Sequence, residues 1–236
     1  MRILLAGAAG VIGRPLLTLL MRAGHDVTGT TRSAARAGLI ADAGASPVVV
    51  DVFDADALRE VARAAKPEVV IHQLTDLPDE ADPGKIAASL AANARIRIEG
   101  TPNLIAAAMA AGARRLIAQS IAFAYAPGPE PRAETDPLLP AESSVSAHGV
   151  HALEDAVTRT PGLDGIVLRY GRLYGPGTWT AVAQGRGPLH VDAAAHAAVL
   201  ALTRGAPGIY NIAEDDGAVT ISKAREQFGF DPSFRL

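Results

Sequence analysis

The sequence predicts an α/β fold: a Rossmann-type doubly wound parallel sheet, to which a family resemblance adds a reduced C-terminal substrate-binding part. Three observations predict it. Short apolar runs of strand length alternate with helical patterns along the whole chain. A glycine loop, Gly7-Ala8-Ala9-Gly10-Val11-Ile12-Gly13, stands between the first run and the first helical pattern. Apolar residues make up 49% of 236 residues and aromatic ones only 4%, so the core is built from Val, Ile, Leu and Ala.

Taken in order, strand-like runs fall at about 3–6, 26–30, 47–50, 68–72, 115–119, 165–169 and 208–212. Between them the helical patterns cover about 14–23, 33–43, 55–65, 83–111, 150–160, 192–203 and 221–228. Gly24, Gly44 and Gly112 follow helices where a left-handed residue ends the last turn. Asp54 and Asp192 are expected N-caps. The Pro- and Glu-rich stretch 126–146 is the one long irregular segment, and loops of that size are usually functional or mobile. There is no internal repeat and no linker. The chain reads as one domain, 1–236, in which 170–236 contributes a small substrate-side region.

Composition excludes several classes. A net charge of −3 gives no footprint for nucleic acid or an anionic membrane. With no cysteine there is neither a disulfide nor a thiolate metal site. No apolar run approaches the length of a membrane span. The N-terminal MRILLAGAAGVIG resembles a short secretion signal only superficially, because Gly13, Arg14 and Pro15 lead straight into a helix. A cytoplasmic protein is expected. His190 and Asp192 are near neighbours, but two ligands make no metal site, so none is expected.

The glycine loop carries the chemistry. Gly7 suits a tight turn, Gly10 lets backbone approach a pyrophosphate, and Gly13 lets helix and strand pack closely. Free N–H groups at the helix start then receive the phosphates. An acid at the end of the second strand would hold a ribose 2′-hydroxyl. Here the strand ends Thr31-Arg32-Ser33, and Arg32 with flanking hydroxyls suits a 2′-phosphate. NADP(H) is therefore favoured over NAD(H). Asp51, after the third strand, accepts from an adenine amino group or caps a turn.

Further stretches name a family. GAAGVIG, DVFD, VVIHQL, EGTPNLIAAAMAAGARRLIAQS, LRYGRLYGPG, HVDAAAHAAVLAL and GIYNIAED resemble, in order, the NAD(P)-dependent epimerase/dehydratase family. That family is the extended or atypical branch of the short-chain dehydrogenase/reductases. The resemblance implies NAD(P) bound across the strand C-termini. It implies that Gly7, Gly10, Val11, Ile12 and Gly13 hold the pyrophosphate, with Arg32 on the adenosine side. Asp51 and Val52 would flank adenine. Gln73, Leu74 and Thr75 would pass behind the ribose and nicotinamide, with Tyr170 near the carboxamide end. Relatives often dimerise through two long helices, here 83–111 and 147–160, so a homodimer is a candidate assembly.

The chain departs from the family in two ways. It is short after Thr178 and after Asp216, which shrinks the substrate side. The family's catalytic Tyr-x-x-x-Lys helix also aligns His148 and Ala152 at those positions. A tyrosine titrates near about 10 and needs a cation to work at neutral pH, whereas histidine titrates near about 6.5 unaided. Joint loss of both residues is chemically coherent if His148 took over proton transfer. The alternative is that His148 and His151 simply decorate a helix face, and a one-residue slip would align His151 with the lysine. His151 with Asp155 is either an oriented imidazole or a surface pair. Ser120 at the end of the fifth strand would polarise a substrate carbonyl. Tyr125 is the second proton-transfer candidate, and Arg169 reads as buried beside an acid.

The function expected is an NADP(H)-dependent oxidoreductase or epimerase/dehydratase-like enzyme acting on a small organic substrate such as a specialised metabolite, with catalytic residues His148, Ser120 and Tyr125. Two rivals stay open: a silent NADP(H)-binding sensor, and a non-redox cyclase or isomerase.

Overall fold

The computed structural model describes residues 1–78, 80 and 82–236. The strands are β1 (Arg2–Ala6), β2 (Asp26–Thr31), β3 (Ser46–Val49), β4 (Val69–His72), β5 (Arg115–Ile121), β6 (Asp164–Tyr170), β7 (Arg172–Tyr174), β8 (Pro188–His190) and β9 (Gly208–Ile212). The helices are α1 (Gly13–Arg22), α2 (Ala34–Asp42), α3 (Ala55–Ala65), α4 (Pro83–Arg95), α5 (Thr101–Ala110), α6 (Val145–Arg159), α7 (Val191–Leu200) and α8 (Ser222–Phe228). Seven strands form one sheet in the order β3-β2-β1-β4-β5-β6-β9, with every pair parallel. Chain direction across the sheet reverses between β1 and β4, and such a switch point opens a crevice at the strand C-termini. A small parallel pair, β7 with β8, sits beyond the main sheet.

Strand periodicity decides which core each residue joins. Ile3, Leu5, Ile71, Ile117, Ile166 and Leu168 face one layer, where they pack with Leu16, Leu17 and Leu20 of α1 and the alanines of α7. Leu4, Val70, Leu116, Ala118 and Val167 face the other layer, with Leu58 of α3, Leu104 of α5 and Leu153 of α6. Burial on both faces explains why the strands read as continuous apolar runs. At the C-terminal edge the second face turns polar. Ser120, Arg169 and Asn211 stand in one row across β5, β6 and β9, each paired with the next by strand register.

Several element ends differ from the sequence reading. The helix expected from 150 begins at Val145, because Ser144 caps it by accepting from Ala147 N at 3.1 Å. The stretch 83–111 is helical almost throughout, but Ile96–Gly100 form a π-helical turn between α4 and α5. Asp54 caps α3, accepting from Ala57 N at 3.0 Å. Asp192 does not cap α7. His190 does, its Nδ1 accepting from Asp192 N at 3.2 Å, while the Asp192 carboxylate accepts from Leu236 N at 3.1 Å. The segment 126–146 is held by isolated bridges, Tyr125 with Leu138 and Arg132 with Val219.

Glycine spacing sets how closely layers approach. A Cβ on Gly165 would lie 1.9 Å from Val157 O of α6. A Cβ on Gly112 would meet nothing, and only its φ of 81° would be strained. Gly165→Ala is expected to cost about 3 kcal/mol by overpacking. Gly112→Ala should cost only about 1 kcal/mol for left-handed backbone. Urea unfolding of both variants measures the difference.

Candidate active site

The crevice between the ends of β1 and β4 has a volume of about 410 Å³. Its floor is set by contact between two loops. A Cβ on Gly7 would lie 2.6 Å from Gln73 O, and a Cβ on Gly13 would lie 2.1 Å from Gly7 O. Both positions therefore require glycine for close approach. Gly7 also adopts φ 87°, which a side chain disfavours. No side chain caps α1. Arg14 N donates to Gly10 O, Leu16 N donates to Ile12 O and Pro15 has no N–H, so the amides left for an anion are those of Val11, Ile12 and Gly13 at the loop–helix junction.

Of the residues read from the sequence, Gly7, Gly10, Arg32, Asp51, Val52, Gln73, Leu74 and Thr75 line this crevice. Val11 is half-buried, and Ile12 and Gly13 are buried beneath the loop. Tyr170 is buried and does not line it, its hydroxyl accepting from Gln73 Nε2 at 3.3 Å. Burial pushes the Tyr170 phenol well above its usual range. Gln73 Oε1 is buried without a partner. Whichever way the amide is turned, one of its ends lacks a partner, which suits a hydroxyl or amide brought by a ligand.

At the end of the crevice under β2 and β3, Arg32 and Arg36 line it together with Asp51 and Asp76. Arg32 does not project freely. Its Nη1 donates to Asp76 Oδ2 at 3.1 Å, and Nη2 pairs with the other carboxylate oxygen. The hydrogen bonds to Asp76 raise the Arg32 pKa further. Asn93 of α4 fixes Asp76 by accepting from its backbone N at 3.0 Å. Asp51 lines the crevice and also closes a turn, accepting from Phe53 N at 3.0 Å. Trp179 reaches over from the loop after β7, and its Nε1 donates to Pro78 O at 2.9 Å.

Of the three residues expected to be catalytic, Ser120 and Tyr125 share one hydrogen-bonded network and His148 lies outside it. Ser120 donates to Glu154 Oε1 at 2.7 Å. Glu154 is held by Arg169 from two directions, at 2.9 Å and 2.7 Å. Arg169 Nη1 donates to the Tyr125 hydroxyl at 2.8 Å, and that hydroxyl donates to Asn211 Oδ1 at 2.7 Å. Burial opposes the Arg169 charge, and the bonds to Glu154 outweigh it, leaving its pKa raised. Burial also raises Tyr125.

His148 lies apart from this network. The helical period puts it in line with the exposed Asp155 and Arg159, opposite the buried Leu153 and Val157. The inward stripe of α6 carries Val150 and Glu154 instead. His151 Nε2 contacts Leu139 O at 2.9 Å, and Asp155 pairs with Arg159 at 3.2 Å and not with His151. Trp179 is engaged as above, and Tyr174 donates to Glu214. Among the described residues no group of three or more His, Asp or Glu could hold a metal. No described helix is long and apolar enough to cross a membrane.

Sequence reasoning missed Asp76, Glu154 and Asn211, and reached Arg97 only as the position aligned with an asparagine of the family's long helix. Arg97 sits on the π-helical turn beside α6, where a Cβ on Gly149 would lie 3.4 Å from its Cδ. Burial lowers the Arg97 pKa, and nearby Glu154 partly restores it.

A model of the NAD dependent epimerase/dehydratase family matches residues 3–186. The chain belongs to that family. It is an enzyme of the short-chain dehydrogenase/reductase kind. A curated relative, a 3-diazoavenalumate denitrifying reductase from Streptomyces sp., is 42% identical over 92% of this chain and 77% of its own. Solved structures share the fold. UDP-glucose 4-epimerase of Thermotoga maritima, solved with UDP-glucose, superposes with a TM-score of 0.82 at 20% identity, covering 100% of this chain and 95% of that one. A Bordetella bronchiseptica enzyme, WbmG, in complex with NAD and UDP, gives 0.77 at 21% identity, covering 100% and 90%.

Two outcomes follow from the buried groups. Glu154→Ala leaves Arg169 uncompensated and should cost about 3–5 kcal/mol. Glu154→Leu combined with Arg169→Met should cost less than the two single changes summed. His72 is fully buried at the end of β4. Its Nδ1 accepts from Leu74 N at 3.2 Å and its Nε2 meets Thr101 Oγ1 at 3.0 Å, so the neutral Nε2–H form fits. Burial, aided by Arg97, lowers its pKa from 6.5 to about 4. Its contribution is complete above the unfolded value and is lost as pH falls toward the folded one. Between pH 7 and 5 wild type should lose about 2 kcal/mol more than His72→Gln, measured by urea unfolding.

Proposed function

We propose that this chain is an NADPH-dependent reductase whose acceptor needs no proton from the protein, and that the acceptor is a diazo group on an aromatic ring. One observation carries the reading. The two hydroxyls at the end of β5 are already committed, Ser120 to Glu154 and Tyr125 to Asn211 and Arg169. Neither is a free acid, and His148 faces outward. A carbonyl reduction needs such an acid. The similarity to a denitrifying reductase of a diazo compound supports a different acceptor.

The balance supports it as well. An arenediazonium ion that gains hydride and loses N₂ becomes an arene. The C–N electron pair leaves with N₂, a C–H bond forms, and no proton enters. The nicotinamide, when bound, supplies the hydride. The glycine loop and the first turn of α1 hold the pyrophosphate, and the unpartnered end of Gln73 takes a donor from the nucleotide. Arg32, freed from Asp76, meets the 2′-phosphate, with Arg36 beside it. Asp76 then supplies opposing charge, so Arg32 sets cofactor choice and Asp76 limits its strength.

Calorimetry with NADPH and NADH tests the cofactor assignment. Arg32→Ala should weaken NADPH by ~10- to 100-fold while NADH changes by less than ~3-fold. Turnover is tested with benzenediazonium ion and NADPH deuterated at the hydride position, against an enzyme-free control. The reading expects deuterated benzene, one N₂ per NADPH and a solvent isotope effect near unity. NADPH oxidation without N₂, or a large solvent isotope effect on kcat, overturns it.

A further inference from the structure

A second cavity, of about 240 Å³, opens beside the ends of β5 and β6. Phe123 lies two residues after β5 and Arg172 two after β6, so it shares the C-terminal edge of the sheet with the cofactor crevice. Its charge is one-sided: Arg132, Arg172 and Arg186 line it against Glu130. The three cations differ in what already occupies them. Arg186 pairs with Glu130. Arg132 is buried and donates to Ala126 O at 2.6 Å and Pro129 O at 3.3 Å, so it holds the loop. Arg172 is exposed, and among the described residues its guanidinium has no hydrogen bond or ion pair. It lies 4.7 Å over the ring of Phe123, itself 47% exposed.

The base of Arg172 is fixed. Its backbone N donates to Gly187 O at 2.8 Å, and a Cβ on the preceding Gly171 would lie 2.3 Å from the same oxygen. The cation–π contact orients the guanidinium without using its donors. The cavity is smaller than the roughly 300–1,000 Å³ usual for drug-sized ligands, which favours one ring over a nucleotide sugar.

We propose that this cavity is the acid-binding subsite for the substrate, in which Arg172, stacked on Phe123, grips the carboxylate of an aromatic acid. The assignment rests on the reductase reading and names its substrate class. The charged fork of arginine matches a carboxylate with two parallel bonds. The relative's substrate name, ending in -ate, also denotes a carboxylate.

The test has a binding arm and a turnover arm. In the first, protein loaded with NADP⁺ is titrated with cinnamate, methyl cinnamate and inorganic phosphate. Cinnamate should bind at least ~10-fold more tightly than the ester, and Arg172→Gln should remove that difference. Phosphate binding more tightly than cinnamate, or no change on Arg172→Gln, overturns the assignment. In the second arm, 4-diazoniobenzoate is compared with its methyl ester. Arg172→Gln should raise KM for the acid by ~10- to 100-fold, spare the ester and leave kcat at saturation unchanged, with Arg172→Lys intermediate. Turnover of acid and ester with equal kcat/KM overturns the subsite alone. Acid-selective binding without any diazonium turnover supports the subsite and overturns the reductase reading alone.

Discussion

Glu154 and Arg169 take two full charges out of water, and the geometry of the C-terminal edge follows from how that cost is offset. Each buried ion forfeits several kcal/mol of hydration. Their two direct bonds, together with Ser120 on one partner and Tyr125 on the other, give the pair the satisfied surroundings it needs. The pair joins α6 to β6, while Tyr125, Asn211 and Glu134 join β9 and the long loop to the same point. The register of α6 is thereby fixed with Glu154 inward. Helical geometry then turns His148 outward, whatever its chemistry recommends.

The same economy of approach shapes the cofactor crevice. Gly7, Gly13 and Gln73 bring two loops and a helix end within contact distance, so the crevice floor is backbone. Polar side chains stand at its far end, where two arginines and two aspartates balance. Arg32 is held there by Asp76 through two of its donors, which sets the direction of its guanidinium.

The fold was legible because both faces of the sheet are covered. The central strands β1, β4, β5 and β6 are mainly apolar, and helix N- and C-termini carry Asp54, Gly24 and Gly44 in the expected places. The short strands β7 and β8 were not legible, since three-residue segments carry no period. The crevice was legible from glycines and strand ends. Asp76 was not, because its role depends on contact with Arg32, 44 residues away. Ser120 stands at the end of β5 as read, while Tyr125 lies four residues beyond it in an isolated bridge with Leu138. What they bond to depends on Glu154, which in the sequence looks like any helix-surface acid. The expectation that Arg169 is buried beside an acid was the one clue to the network. His148 was legible as a helix residue, but its exposed facing depends on which stripe of α6 packs inward, and that is set by Glu154 and Arg169.

The hydrogen bond from Trp179 ties the loop after β7 to Pro78, which lines the crevice. Trp179 is also the sole tryptophan of the chain. Indole emission overlaps the absorption of reduced nicotinamide, so a side chain anchored to the crevice wall is an energy-transfer donor to a reduced nicotinamide held there. The molecule thus carries its own optical gauge of occupancy, with no competing fluorophore of the same kind to obscure the signal.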